Sequence, residues 1–136
     1  LKAIERIDPL LSEYSLFMTH SSTGTMGEWS VRFENDGMTL TILQQRGGCE
    51  YVEIGAKERP RKGAHLRSWS LSHIRGYLEK SDRHYCFGSF VEEADWLVAN
   101  SRKVMNPSLI NSDDIRAWAT KASRKLFGEI RRMKNA

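Results

Sequence analysis

The period of the apolar residues changes twice along the chain. Over residues 1–14, Ile4, Ile7, Leu10 and Leu11 recur at three- and four-residue steps, the spacing of one helix face. Asp8-Pro9 within that stretch offers a cap followed by a proline suited to a first turn, so a second helix start is expected there. From residue 15 the pattern alternates. Leu16 and Met18, then Trp29, Val31 and Phe33, lie between polar neighbours as in half-buried strands, with Ser21 to Gly27 expected as the loop between them. Asn35-Asp36-Gly37 separates Phe33 from Met38, Leu40 and Ile42 and predicts a hairpin. Arg46-Gly47-Gly48 predicts a second turn, after which Cys49 to Ile54 reads as a strand with Val52 and Ile54 inward and Glu53 outward.

After the polar stretch at residues 56–69 the helical period returns. Ser70 is a cap for a short helix carrying Leu71, Ile74, Tyr77 and Leu78. Ser89 and Glu92 form a capping box for a helix through Phe90, Ala94, Leu97, Val98, Ser101 and Met105, which Pro107 should end. Asn111 or Ser112, with Asp113 and Asp114 in the first turn, opens a long last helix whose buried stripe should be Ile115, Trp118, Ala119, Ala122, Leu126, Ile130 and Met133. Strands followed by helices, without alternation of the two, predict an α+β domain: an N-terminal helix at 1–14, a four-stranded antiparallel meander at 15–55, a basic loop at 56–69 and about three helices in 70–136. The expected core comprises Trp29, Val31, Phe33, Leu40, Ile42, Val52, Ile54, Leu71, Ile74, Leu97, Ile115, Trp118 and Leu126.

At 136 residues the chain suits one domain, large enough to bury about two thirds of its extended surface. The 4 Trp, 4 Tyr and 5 Phe argue against disorder, and the absence of an apolar run near 20 residues argues against a membrane span. Cys49 and Cys86 form no CxxC pair and are expected as half-buried thiols of a reduced, cytoplasmic protein. The chain opens on Leu1 instead of Met, so a trimmed portion of a longer product is expected.

Charge is polarised. Residues 1–55 carry 4 basic and 8 acidic side chains, residues 56–88 carry 8 and 3, and residues 89–136 carry 9 and 6, giving −4, +5 and +3. Two basic clusters result: the loop with Lys57, Arg59, Arg61, Lys62 and Arg67, and the last helix with Lys121, Arg124, Lys125, Arg131, Arg132 and Lys134 against Glu129 alone. Cations near a helix C-terminus complement its dipole, whereas five cations crowded into one loop repel one another and call for an anionic partner.

Sequence chemistry is otherwise sparse. No glycine-rich turn feeds a helix, no Gly-x-Ser-x-Gly elbow occurs, and the four histidines and two cysteines lack metal-ligand spacing. His84 and Cys86 would share a face only on a strand. Glu92-Glu93 and Asp113-Asp114 fit first helical turns, and Glu50 and Glu53 point to opposite faces of a strand. No catalytic residue, metal ligand or cofactor site is expected, and the candidate partner-binding residues are Lys57, Arg59, Arg61, Lys62, Arg67 and Trp69.

The stretch from Tyr14 to Phe17, Trp29-x-Val31-x-Phe33-Glu34-Asn35-Asp36-Gly37, Leu40-x-Ile42, Arg46-Gly47, Val52-Glu53-Ile54-Gly55, Trp69-x-Leu71 and Tyr77-Leu78 resembles small bacterial proteins that look like immunity proteins of polymorphic toxin systems. The resemblance covers about half the chain, within residues 10–78, and transfers no site residue. It implies a non-enzymatic protein that binds and blocks a cognate toxin in the cytoplasm. The alternative expectation is a nonspecific nucleic-acid binder using loop 57–67 and the C-terminal helix.

Overall fold

In the computed structural model, which describes residues 2–135, a helix α1 (Lys2–Glu13) precedes strands β1 (Phe17–Thr23), β2 (Trp29–Glu34), β3 (Met38–Gln44), β4 (Glu50–Ala56) and β5 (Ser68–Ser70). Helices α2 (Leu71–Leu78), α3 (Phe90–Ala99), α4 (Ser101–Val104), α5 (Pro107–Ile110) and α6 (Asp113–Lys134) follow. The α+β class holds, but the meander has five antiparallel strands in the order β1-β2-β3-β4-β5, not four. The added strand, β5, is only Ser-Trp-Ser, too short to show alternation, and forms because Trp69 pairs with Ile54 on the core side of β4.

The β2–β3 hairpin closes at the expected place. Asn35 accepts from the Gly37 and Met38 amides through Oδ1, at 3.0 and 2.8 Å, and its own amide bonds to the Met38 carbonyl. At the β3–β4 turn Gly47 has φ 71°, a conformation that a side chain would strain. Register then places Val31, Ile42 and Val52 in one row and Phe33, Leu40, Ile54 and Trp69 in the next, all on the face that the helices cover. The other face carries His20, Arg32, Thr41, Glu53 and Ser70 across the five strands. Helices α2, α3 and α5 pack on β4, and α1 packs on α3, with Arg6 3.6 Å from Asp95.

Several expectations change at the edges. Pro9 lies inside α1 instead of starting a second helix; its side chain is on the exposed face, so the missing amide hydrogen weakens one turn without breaking the helix. β1 extends through Ser21–Thr23, which pair with β2, so the loop is shorter than Ser21 to Gly27. Every residue of β1 is exposed, Met18 included at 57%, because β1 is the outer edge; Leu16, just before it, is buried. The helix from Phe90 breaks at Asn100 before α4, and Pro107 begins α5 at its first position while Asn106 caps it. Cys49 and Cys86 are exposed free thiols in irregular segments, not half-buried ones.

The expected core is buried except at three positions: Trp29 and Trp118 are half-buried, and Leu126 is 38% exposed because α6, which packs against α2, outruns that eight-residue helix. Ser70, Ser89 and Ser112 cap their helices as expected, and Glu92 accepts from the Gly88 amide, one residue before the usual capping-box donor. No helix among the described residues is long and apolar enough to cross a membrane.

The α2–α6 crossing depends on one missing side chain. A Cβ on Gly76 would stand 2.6 Å from the Arg83 carbonyl and 2.7 Å from the Trp118 ring, whose Nε1 donates to the Ser81 carbonyl at 2.6 Å. Alanine is the better helix former by about 1 kcal/mol, yet Gly76→Ala should lower stability by about 1 to 2 kcal/mol through overpacking. Urea denaturation checks this. Stabilisation by the substitution would mean that Trp118 can swing clear.

Candidate functional site

Loop 57–66 is held at both ends. The Ala56 amide donates to the Arg67 carbonyl at 3.0 Å, the Lys57 amide to Gly37 at 3.0 Å, and Asn111 Nδ2 reaches the Glu58 carbonyl at 3.0 Å. The cations therefore stand on a fixed scaffold next to the α5–α6 junction. Their arrangement divides the six candidates into two groups.

Arg67 and Trp69 turn inward. The Arg67 side chain is 9% exposed; Nη1 donates to the carbonyls of Asn111 and Ser112 at 2.8 and 3.1 Å, and Nη2 to Asp113 Oδ1 at 3.0 Å. That bond holds the Asp113 carboxyl below its ordinary range, with the charges of Arg67, Arg61 and Arg116 adding to the effect. Trp69 packs against the core and donates Nε1 to the Ile110 carbonyl at 3.0 Å. Both residues hold the loop to the body.

Lys57, Arg59, Arg61 and Lys62 are exposed. Lys57 lies 3.7 Å from Glu34 and Arg61 3.6 Å from Asp113, whereas Arg59 and Lys62 make no ion pair among the described residues. Arg61, Lys62, His65, Leu66, Trp69 and Arg116 line a cleft of about 560 Å³. Leu66 is 56% exposed, so the cleft joins cations to an apolar side chain. Arg116 was not among the sequence candidates. A lone cation three residues after Asp113 carries no local signal, and only the fold of α6 against the loop brings it to the cleft.

Other sequence-level pairs separate or change role. His84 lies in a loop, not a strand, and its ring stacks on His73 with centroids 5.6 Å apart, while Cys86 is exposed. Arg75 stacks on Tyr85 at 3.6 Å and bonds Glu79, an internal use of a cation and an aromatic ring. Glu92 is exposed, as in an ordinary first turn, but Glu93 is 3% exposed and accepts from the Val52 amide at 3.3 Å. Burial pushes its carboxyl up to about 7, the Val52 bond opposing the shift. No group of three or more His, Cys, Asp or Glu side chains is placed to hold a metal among the described residues.

Comparison with protein-family models, with curated proteins and with solved structures finds no match.

Proposed function

We propose that this chain is a non-enzymatic protein-binding module, of the kind that an immunity-type inhibitor of a cognate toxin would be, and that it docks an acidic protein surface on the cleft beside loop 57–66. The supporting observation is the pairing of a fixed loop with uncompensated charge: Arg59 and Lys62 lack ion pairs among the described residues, and Leu66 stands exposed next to Arg61 and Arg116. A scaffold ordered before binding loses little entropy on association, and arginines beside an apolar side chain suit the centre of a protein interface. Arg67 and Trp69 then act as supports of the site.

Combined replacement of Arg59, Arg61, Lys62 and Arg116 by Ser should leave the urea midpoint nearly unchanged and weaken partner binding on the order of 100-fold. The partner is captured from the native host lysate, with and without nuclease, and its affinity for both chains is measured by calorimetry. Equal affinity for both chains would remove the cleft from the proposal. Capture abolished by nuclease, with affinity for duplex DNA that falls steeply with salt, would put nucleic acid in the partner's place.

A further inference from the structure

Helix α6 packs on the body through Ile115, Ala119 and Ala122. The same stripe continues at three- and four-residue steps through Leu126, Ile130 and Met133, which are 38, 39 and 78% exposed, with Phe127 beside them at 62%. Over the last twelve residues, about 18 Å of helix, the apolar stripe thus lies uncovered, and only the flank of α6 still reaches the body, through Lys125 and Glu129. The opposite side holds Arg124, Arg131 and Arg132, preceded by Lys121, and Lys134 lies on the Phe127 flank, none ion-paired among the described residues. The single carboxylate in this half, Glu129, is taken by Arg83 at 2.9 Å, and Lys125 by Asp82.

We infer that the overhang of α6, residues 123–134, is a helix-in-groove ligand for a partner protein whose apolar groove is rimmed by carboxylates. Three observations select this occupant. Four cations of the overhang, Arg124, Arg131, Arg132 and Lys134, have no counter-charge among the described residues and require an anionic rim, and a second copy of the helix would bring four more. Four apolar side chains expose on the order of 400 Å², about half of what each partner buries in a stable complex, so two stripes laid together fall short, whereas a groove enclosing stripe and cations does not. The uncovered stripe also faces the same side as the packed one, so a flat lipid surface would meet the body before it reached Ile130. A groove wall can enter the notch under the overhang. The inference rests on the protein-binding reading but uses a second surface, with anchors at Leu126, Ile130 and Met133 and a flanking contact from Phe127.

The full chain is titrated with calcium-loaded calmodulin, used as a probe because its Met-lined apolar grooves are rimmed by carboxylates, and separately with phosphatidylserine vesicles. Sedimentation equilibrium of the chain alone forms the third arm. Saturable binding to the groove probe is expected, weaker with rising salt. It should weaken on the order of 100-fold in the Phe127→Gln/Ile130→Gln/Met133→Gln variant and be unchanged in the variant with Ser at 59, 61, 62 and 116. These glutamines replace exposed side chains with a good helix former, so the circular dichroism and urea midpoint of the triple variant should match the parent's. Groove binding intact in the triple variant, no binding to the probe, preference for the vesicles, or a dimer dispersed by the triple variant would each overturn the inference. Loss of groove binding in the loop variant as well would merge the two surfaces and overturn it in this form.

Discussion

Arg67→Ala should lower the stability of the folded chain by about 2 to 4 kcal/mol, although Arg67 belongs to a loop whose neighbours can be changed freely. The guanidinium fills a slot between β5 and the α5–α6 junction and donates three hydrogen bonds there, two of them to the carbonyls of Asn111 and Ser112. Alanine leaves the Asn111 carbonyl without this donor, the Ser112 carbonyl with only the long 3.5 Å bond from the Arg116 amide, and the exposed Asp113 carboxylate with only Arg61 at 3.6 Å. The bonds to carbonyls dominate the expected loss, because an ion pair with a carboxylate 76% exposed is weakened by solvent. Arg67→Lys should recover less than half, since one ammonium cannot span three acceptors fixed for a planar fork. Arg59→Ala and Lys62→Ala, by contrast, should change stability by no more than about 0.5 kcal/mol. Urea denaturation followed by tryptophan fluorescence separates the three. An Arg67→Ala chain as stable as the parent, with weakened partner binding, would return Arg67 to the interface.

This contrast also locates the limit of what the sequence makes legible. Alternation exposes β2, β3 and β4, because these strands have one face on the core and a period of two is the direct imprint of that burial. It fails for β1, which is exposed throughout, and for β5, where three residues hold too few positions to define a period. In α6 the apolar stripe reads clearly over its whole length, but periodicity reports a face, not whether the face is covered; burial of the stripe ends at Ala122 and the stripe does not. The basic loop is equally plain as composition. Which of its cations are free is decided by Glu34, which takes Lys57, and by Asp113, 46 residues from Arg67 and read locally as a helix-dipole charge. Arg116 enters the cleft by the same long-range route. Charged side chains that look alike in sequence thus divide into supports and free groups only when distant elements meet.

Glu93 yields the other large effect, and its sign is unusual for a carboxylate. The Ala56 amide bonds across to the Arg67 carbonyl, so alternate amides of β4, those of Val52 and Ile54 included, point toward β5. At Leu71 the chain leaves the sheet for α2, and the acceptor that a longer β5 would have offered Val52 is missing; Glu93 Oε1 supplies it from α3. The position demands an acceptor but is buried, so the charged form is disfavoured and the carboxyl is raised from 4.5 to about 7. A folded-state value above the unfolded one means that the folded chain holds the proton between those limits while the unfolded chain releases it. The contribution of Glu93 is therefore complete below pH 4.5, declines as pH rises, and is lost above pH 7. Allowing for residual solvation, the loss should be about 2 kcal/mol between pH 5 and pH 8. Burial and the neighbouring His84 lower His73, which adds an opposite slope as pH falls through the ordinary histidine range, and burial raises Glu53 despite Arg32. Both groups are common to parent and variant, so the comparison with Glu93→Gln isolates Glu93. Glutamine keeps an oxygen for the Val52 amide and carries no charge at any pH. Glu93→Gln should match the parent at pH 5 and exceed it by about 2 kcal/mol at pH 8, as measured by urea denaturation at both. Parallel stability profiles across that range would mean that Glu93 is ionised at neutral pH and bonded strongly enough to remain so.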